Sequence, residues 1–526
     1  MTPVILAVDQ GSSSSRCLVL SASAPGSARP GSPPGLSVLA TATCDLATTL
    51  PRPGWVEHDA DEITASVRRA MTAAMARAEV SWSQVSGIGL AAQTETFVVW
   101  ERATGRPVYP AISWRDTRAG DVCDRLRIAG HAAEIRRRSG LPLQPAFTAP
   151  KLRWLLDTID FGQRRAVAGD LLFGDVNCWL TWNLSGRAAH VTEPSMASRT
   201  MLFNLADQAW DSDLLALFGI PRQLLPEVHP TAGKVAETDA SGSGGLAVIY
   251  ASAGDQQAAL FGQRCWAAGQ AKLTLGTGAF LWCQNGPVPA ALQPDGVVST
   301  CAWQLDDEPA FALEGFVPTA GSVTPWLRRL GALGNDAWPT VRATALARAA
   351  RAGTGGLWCV PALYGLGTPE WTGTAAADIS GLTASSTAAD ISEAALIGVA
   401  HQVSDAIDAV RVGLLEPLTT IHVDGGMSGN DSLLQALADL SGSRLERGRT
   451  AEATALGAGA LAGLGAGVWD RASLDDLLAA AAGPATIIEP QLPASDRVAV
   501  RGTWREVRDR AVAGWAARSP QRPGPT

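Results

Sequence analysis

The sequence predicts an α/β protein made of two related halves that face a cleft. Two observations carry that expectation. Strand–turn–strand hairpins with small, polar tips occur in both halves, around Asp9-Gln10-Gly11-Ser12-Ser13-Ser14-Ser15 and around Gly276-Thr277-Gly278. Each hairpin is followed by strands and helices, and an acid, Asp9 or Asp255, stands beside the turns.

In order, residues 4–8 are an apolar strand ended by Asp9, and 16–20 return as its partner. Residues 21–36 are rich in Pro, Gly and Ser and read as a mobile surface loop, and 37–43 as a third strand. Helical periodicity covers 61–78; strands follow at 85–90, leading into Ala91-Ala92-Gln93-Thr94-Glu95-Thr96, at 97–100 and at 109–114. Helices are expected at 117–129, 151–158 and 175–186, with loop and short helix to about residue 243. The apolar run 246–251 reads as a buried strand broken by Ser252-Ala253-Gly254, and helical spacing starts at Gln256. In the second half, strands at 272–275 and 279–283 flank the glycine turn, the strand 420–423 stops at Asp424-Gly425-Gly426, and helices cover 432–441 and 453–467. The expected division is an N-terminal domain of residues 1–251, a C-terminal domain of 252–518 and a disordered tail at 519–526.

Composition narrows the class. An apolar fraction of 46% over 526 residues suits a globular protein of two or more domains. The net charge of −8, with no basic block, argues against a nucleic-acid partner. The eight cysteines are scattered without a Cys-x-x-Cys pair, which suits a reduced cytoplasm. The sequence shows neither a signal peptide nor a membrane span. Gly-x-x-x-x-Gly-Lys-Ser/Thr, His-Glu-x-x-His and Cys/His metal spacings are missing, and Gly457-Ala458-Gly459 lies within a helical run, where small residues serve close packing.

A glycine- or serine-rich turn exposes backbone N–H groups that form an anion nest, although such turns also occur as plain hairpins. Two nests and two acids suit a nucleoside triphosphate with Mg²⁺, which binds through one or two carboxylates and phosphate oxygens. Asp255, at a strand-to-helix turn, suits a base or a metal ligand, or simply an N-cap. Asp424-Gly425-Gly426-Met427-Ser428-Gly429-Asn430 is a third strand-end turn, open to a flat ligand such as adenosine or merely a turn.

These residues, with Gly54-Trp55-Val56-Glu57-His58-Asp59, Lys151-Leu152-Arg153-Trp154-Leu155-Leu156-Asp157, Ala312-Leu313-Glu314-Gly315 and Gly381-Leu382-Thr383, resemble the FGGY family of carbohydrate kinases, most closely its glycerol kinase branch, over nearly the whole chain. The resemblance implies an actin-like (ribonuclease H-like) duplicated fold with two domains around a central ATP cleft. It implies that Asp255 is the general base and that Asp9 and Asp255 hold Mg²⁺. Ser12, Ser13, Ser14 and Arg16 fall in the first phosphate loop, Gly276 and Thr277 in the second, and Gly321, Gly426 and Asn430 at nucleotide positions. Gln93, Glu95, Trp114, Gln256 and Phe280 match the acceptor pocket. The pattern breaks at Thr94, where glycerol kinases carry an Arg, and at Ala146, where they carry a Tyr. Both changes remove donors and enlarge the pocket, so the expected acceptor is a small polyol or sugar such as a tetritol, pentitol or ketose, with glycerol as the alternative. Pro325 replaces a nucleotide-contacting Gln, and the Gly-Gly-Thr-Arg loop linked to fructose bisphosphate control is absent before Asp255. ATP and Mg²⁺ are the implied cofactors, and a homo-oligomer (dimer or tetramer) the implied assembly. The rival classes are a non-catalytic actin-like ATP-binding sensor, which the intact Asp9, Asp255 and turns oppose, and a chaperone-type ATPase, for which the chain offers no peptide-binding region.

Overall fold

The structure, a computed structural model, describes residues 3–23, 35–291, 293–335, 338–342, 345–353, 356–373, 375–448 and 452–518. Most of the Pro-rich loop (24–34) and the 519–526 tail lie outside the described residues.

One 13-stranded sheet runs through the molecule. Its strands are β1 (Val4–Gln10), β2 (Ser14–Ser23), β3 (Gly35–Asp45), β4 (Val85–Ala92), β5 (Ala232–Glu237), β6 (Val248–Gly254), β7 (Gln270–Leu275), β8 (Ala279–Gly286), β9 (Val298–Leu305), β10 (Glu308–Val317), β11 (Thr420–Asp424), β12 (Leu445–Arg447) and β13 (Thr486–Ile488). The order is β13-β12-β11-β7-β8-β10-β9-β5-β6-β4-β1-β2-β3. The duplication is visible in that order. In β3-β2-β1-β4-β6 and again in β10-β8-β7-β11-β12, three antiparallel strands are extended by two parallel ones. This is the actin-like duplication expected from the sequence. Between the halves, β5 and β9 pair only through Ala232 and Leu305.

The central strands read as unbroken apolar runs because helices cover both faces of the sheet; residues 4–8 of β1 are all buried. Helix α1 (Ala60–Ala78) starts at Asp59, whose carboxylate accepts from the Asp61 and Glu62 N–H groups, and lays Ile63, Val67, Ala70, Met71 and Ala74 into the core. Helix α2 (Asp255–Gly262) packs on α3 (Ala453–Gly465), the helix that carries Gly457-Ala458-Gly459. A Cβ on Gly457 would come within 1.8 Å of the Ala258 carbonyl oxygen, so this glycine lets two helix backbones touch. The buried 26-residue helix Ala388–Gly413 goes unassigned in the sequence reading; its start is marked by Thr387 and Asp390, whose side chains cap each other's backbone N–H.

A smaller sheet of Glu57–His58, Ala111–Ile112, Phe97–Glu101 and Leu171–Asp175 lies outside the large one. The expected strand at 109–114 is thus only two residues long, because Trp114 and its neighbours leave the sheet to wall a cavity. Among the described residues no helix is long and apolar enough to cross a membrane.

Candidate active site

Because β4 and β6 run parallel to β1, and β11 parallel to β7, the functional turns leave the same edge of each half. At the end of β1, Gly11 N–H donates to the Ser14 carbonyl (2.9 Å) and closes a tight tip. At the end of β7, Gly276 N–H donates to the Gly278 carbonyl (2.9 Å) in the same way. Gln93, Thr94 and Glu95 follow β4, Asp255 follows β6, and Asp424-Gly425-Gly426 ends β11. Ligands of parallel sheets gather at such carboxyl ends.

Asp255 is the first residue of α2, and Gly254 is the N-cap. The capping alternative is therefore corrected: a cap carboxylate turns back onto the second or third N–H of its helix, whereas Asp255 Oδ1 accepts only from the adjacent Gln256 N–H (2.8 Å). A side chain on Gly254 would strike Gln257 Oε1 at 2.3 Å and Thr94 Cγ2 at 2.7 Å, so the glycine lets the two turns meet. Burial pushes the Asp255 carboxyl up to about 6, with Lys272 pulling it down and Glu95 up. Burial also pushes Asp9 up to about 7, helped by the Asp255 charge and opposed by Arg16. The ammonium of Lys272, fully buried, donates to Gln256 Oε1 (2.7 Å) and Thr274 Oγ1 (3.0 Å). Burial lowers its pKa, and the charges of Asp424 and Asp255 partly restore it.

Gln93, Thr94, Glu95, Trp114, Ala146, Asp255, Gln256 and Phe280 line one cavity of about 230 Å³, together with Ser12. Six further lining residues escape the sequence reading as pocket members: Phe147, Arg199, Trp282, Glu314, Phe316 and Trp371. Thr94 donates its hydroxyl to Glu95 Oε2 (2.6 Å), and a guanidinium reaches this pocket from Arg199 instead. Arg199 Nε bonds Glu95 Oε1, and Nη1 pairs with Glu314 Oε2 at 2.8 Å. Ser12 accepts from the Trp114 indole (2.8 Å) and donates to Gln93 Oε1 (3.2 Å), which ties the first tip to the cavity wall. Lys151, fully buried, donates to the Glu95, Ser113 and Ala146 carbonyls at 3.1, 2.8 and 2.6 Å, joining three wall segments through one ammonium.

The residues that the family resemblance assigns to the nucleotide lie on the two tips, beside the second tip at Gly321, and on the third turn. Ser13 is exposed and Ser14 half-buried, and Arg16 is held by Glu452 at 2.6 Å. Ala320 and Ser322 N–H groups donate to the Thr277 carbonyl and Gly321 N–H to the Gly276 carbonyl (2.8 Å), stacking the 320–322 segment on the second tip. A Cβ at Gly426 would meet nothing within 4 Å, leaving that backbone open. The Asn430 amide is taken up locally: Oδ1 accepts from Leu433 N–H as the N-cap of Asp431–Ser441, and Nδ2 donates to the Pro339 carbonyl (2.8 Å). Pro325 lies exposed in the first turn of Val323–Arg329, where a missing N–H costs the helix nothing.

A duplicated α/β fold with paired turns and an acid beside a polar cavity belongs to the nucleotide-dependent phosphotransferases of actin-like architecture. The model of the FGGY family of carbohydrate kinases, N-terminal domain, matches residues 4–262, and that of its C-terminal domain residues 271–466. The chain belongs to this family and is an ATP-dependent kinase with an alcohol group of a sugar or polyol as acceptor. It is 43% identical over 513 residues to a glycerol kinase of Citrifermentans bemidjiense, covering 97% of this chain and 99% of that one. It is 42% identical to a glycerol kinase of Alkalilimnicola ehrlichii, again covering 97% and 99%. The crystal structure of Plasmodium falciparum glycerol kinase with ADP matches with a TM-score of 0.85 and 27% identity over 97% of this chain and 98% of that one. A gluconate kinase of Lactobacillus acidophilus shares the fold, with a TM-score of 0.82 and 18% identity over 99% and 100% of the chains.

Proposed function

We propose that this kinase transfers the γ-phosphoryl group of ATP to a terminal hydroxyl of a small polyol or sugar, with Asp255 as general base. The observation that carries the reading is that Asp255 lines the same cavity as the polar residues Gln93 and Glu95 and the aromatic residues Trp114 and Phe280. Its carboxylate takes the hydroxyl proton as the acceptor oxygen bonds to the γ-phosphorus and the bridging oxygen leaves with ADP. With the Gly11 and Gly276 N–H groups closing the tips, the backbone N–H groups of Ser12, Ser13 and Thr277 suit the phosphates, and the open backbone at Gly426 suits adenosine. The donor set also fits Mg²⁺: two half-buried carboxylates, Asp9 and Asp255, each favour an added positive charge. When bound, the ion would neutralise charge on the phosphates. The eight cysteines form no disulfide, which suits a reduced cytoplasm. Division near residue 251 would assign Gln93, Glu95 and Trp114 to one domain and the nucleotide turns after Gly276 to the other.

Thr94 and Ala146 support an acceptor larger than glycerol, because a guanidinium fork and a phenol are both missing from those positions. The glycerol kinases that share 42–43% of its sequence support glycerol as the second reading. A screen of the purified protein over polyols and sugars, read by coupled ADP formation, separates them; a wide margin for glycerol removes the first. Asp255→Ala should abolish turnover and keep ATP binding, and unchanged turnover rejects the base assignment.

A further inference from the structure

Most hydrogen-bonding groups around the acceptor cavity are already engaged. The Thr94 hydroxyl is spent on Glu95, Ser12 lies between Trp114 and Gln93, and Gln256 Oε1 accepts from Lys272. The exceptions sit together at one wall: the Trp282 indole, whose Nε1 is buried without a partner, and the pair beside it. Arg199 and Glu314 have side chains only 6% and 9% exposed, yet both line the cavity. A guanidinium carries five N–H donors. Arg199 directs one at Glu95, and its Nη1 faces Glu314 Oε2 at 2.8 Å without either atom making an aligned hydrogen bond. Buried polar groups with unmet capacity are costly in a protein of this kind and point to a partner. The Arg199 guanidinium also lies 5.3 Å above the Trp282 ring and 5.5 Å from that of Phe147, which fixes its plane at the wall.

We propose that Arg199 and Glu314 form a hydroxyl-reading subsite that recognises acceptor carbons beyond the three of glycerol, so that the preferred acceptor is a four- or five-carbon polyol or open-chain ketose. The proposal rests on the kinase reading above and deepens it. A vicinal diol is the matching chemistry: one hydroxyl donates to Glu314 Oε2 and its neighbour accepts from the Arg199 guanidinium. Glu95, held by Arg199 and Thr94, keeps a further lone pair on each oxygen for the hydroxyls nearer Asp255. Trp114, Phe280 and Phe316 cover the carbon skeleton.

The test measures kcat/KM for glycerol, erythritol, xylitol, ribitol and xylulose with wild type, Arg199→Met and the isosteric Glu314→Gln, which serves if the first variant does not fold. A selective loss is expected: glycerol kcat/KM falls somewhat in Arg199→Met because Glu95 loses its guanidinium partner, and in both variants kcat/KM for the four- and five-carbon acceptors falls roughly ten- to hundredfold further than that for glycerol, mostly through KM. An equal fall for all acceptors, glycerol included, overturns the proposal and leaves the pair as a support for Glu95. So does a wild type that prefers glycerol. If wild type phosphorylates no acceptor on the panel, the kinase reading fails instead.

Discussion

Replacing Lys151 with Met isolates one interaction that shapes the acceptor pocket. The methionine has nearly the length of lysine and removes only the ammonium. Three carbonyls then lose this donor, those of Glu95, Ser113 and Ala146; Ser113 keeps the Asp116 N–H (3.1 Å), so two are orphaned. Each orphaned carbonyl costs about 1–3 kcal/mol, or roughly 2–6 kcal/mol for the two. Relief from burying a charge offsets several kcal/mol of that. A net loss of about 1–4 kcal/mol in stability is expected, measured by urea unfolding. The catalytic effect is larger than the stability change suggests, because the three carbonyls belong to the segments that carry Glu95, Trp114 and Ala146, and small displacements of a positioned reactant are expensive. Acceptor KM should rise more than about tenfold while ATP KM moves less than about threefold, since no nucleotide turn touches Lys151. Steady-state kinetics with each substrate varied in turn reads both. A folded Lys151→Met enzyme with acceptor KM within about twofold of wild type would falsify the clamp.

Other consequences follow from the same geometry. Burial raises the Asp255 carboxyl to about 6, so the ionised base is lost as pH falls; acceptor kcat/KM should drop about tenfold per pH unit below that point and level off above it. Asp9 and Asp255 are both raised from an ordinary 3.8, so the folded protein keeps protons that the unfolded chain has released, and their contribution to stability declines as pH rises from about 4 to about 7. Asp9→Asn should therefore gain more stability over wild type at pH 7 than at pH 5, read by thermal shift without nucleotide. Gly425 has φ +87° and a Cβ there would meet the Leu275 carbonyl oxygen at 2.6 Å, so Gly425→Ala should lose about 1–3 kcal/mol and weaken ADP binding; Gly426→Ala, whose Cβ meets nothing, should weaken ADP binding with an unchanged melting temperature. The double change Thr94→Arg and Ala146→Tyr should shift the ratio of glycerol to pentitol kcat/KM by about tenfold or more toward glycerol, measured by the same ADP assay.

The hairpins and the Asp255 turn were legible because their signals are local: an apolar run, a break of glycine or serine, and a change of period within ten residues or so. Arg199 was not legible in this way. It sits in a loop after the short helix Pro194–Ala197, and its partners Glu95 and Glu314 are 104 and 115 residues away in the chain, a distance no pattern spans. Lys272 left a signal that could have been read. It is one of three lysines in the chain and stands alone in an apolar strand, where a charge is seldom found without a partner. Lys151 left the same signal, in the motif that the family resemblance quoted without a role. Asn430, by contrast, is assigned to the nucleotide by resemblance alone, and its amide is occupied in starting a helix and in holding the Pro339 carbonyl, 91 residues away in the chain.

The pairing of Ala232 with Leu305 is the narrowest place in the large sheet. A turn of one half against the other at that point strains this rung and the Thr231–Gln304 backbone bond beside it, and leaves the ladders within each half paired. Helix α3, which follows β12 in the chain yet packs on β1, β4 and β6, and the Arg199–Glu314 pair also join the halves, so an opening motion has to slide along these contacts as well as turn at the waist.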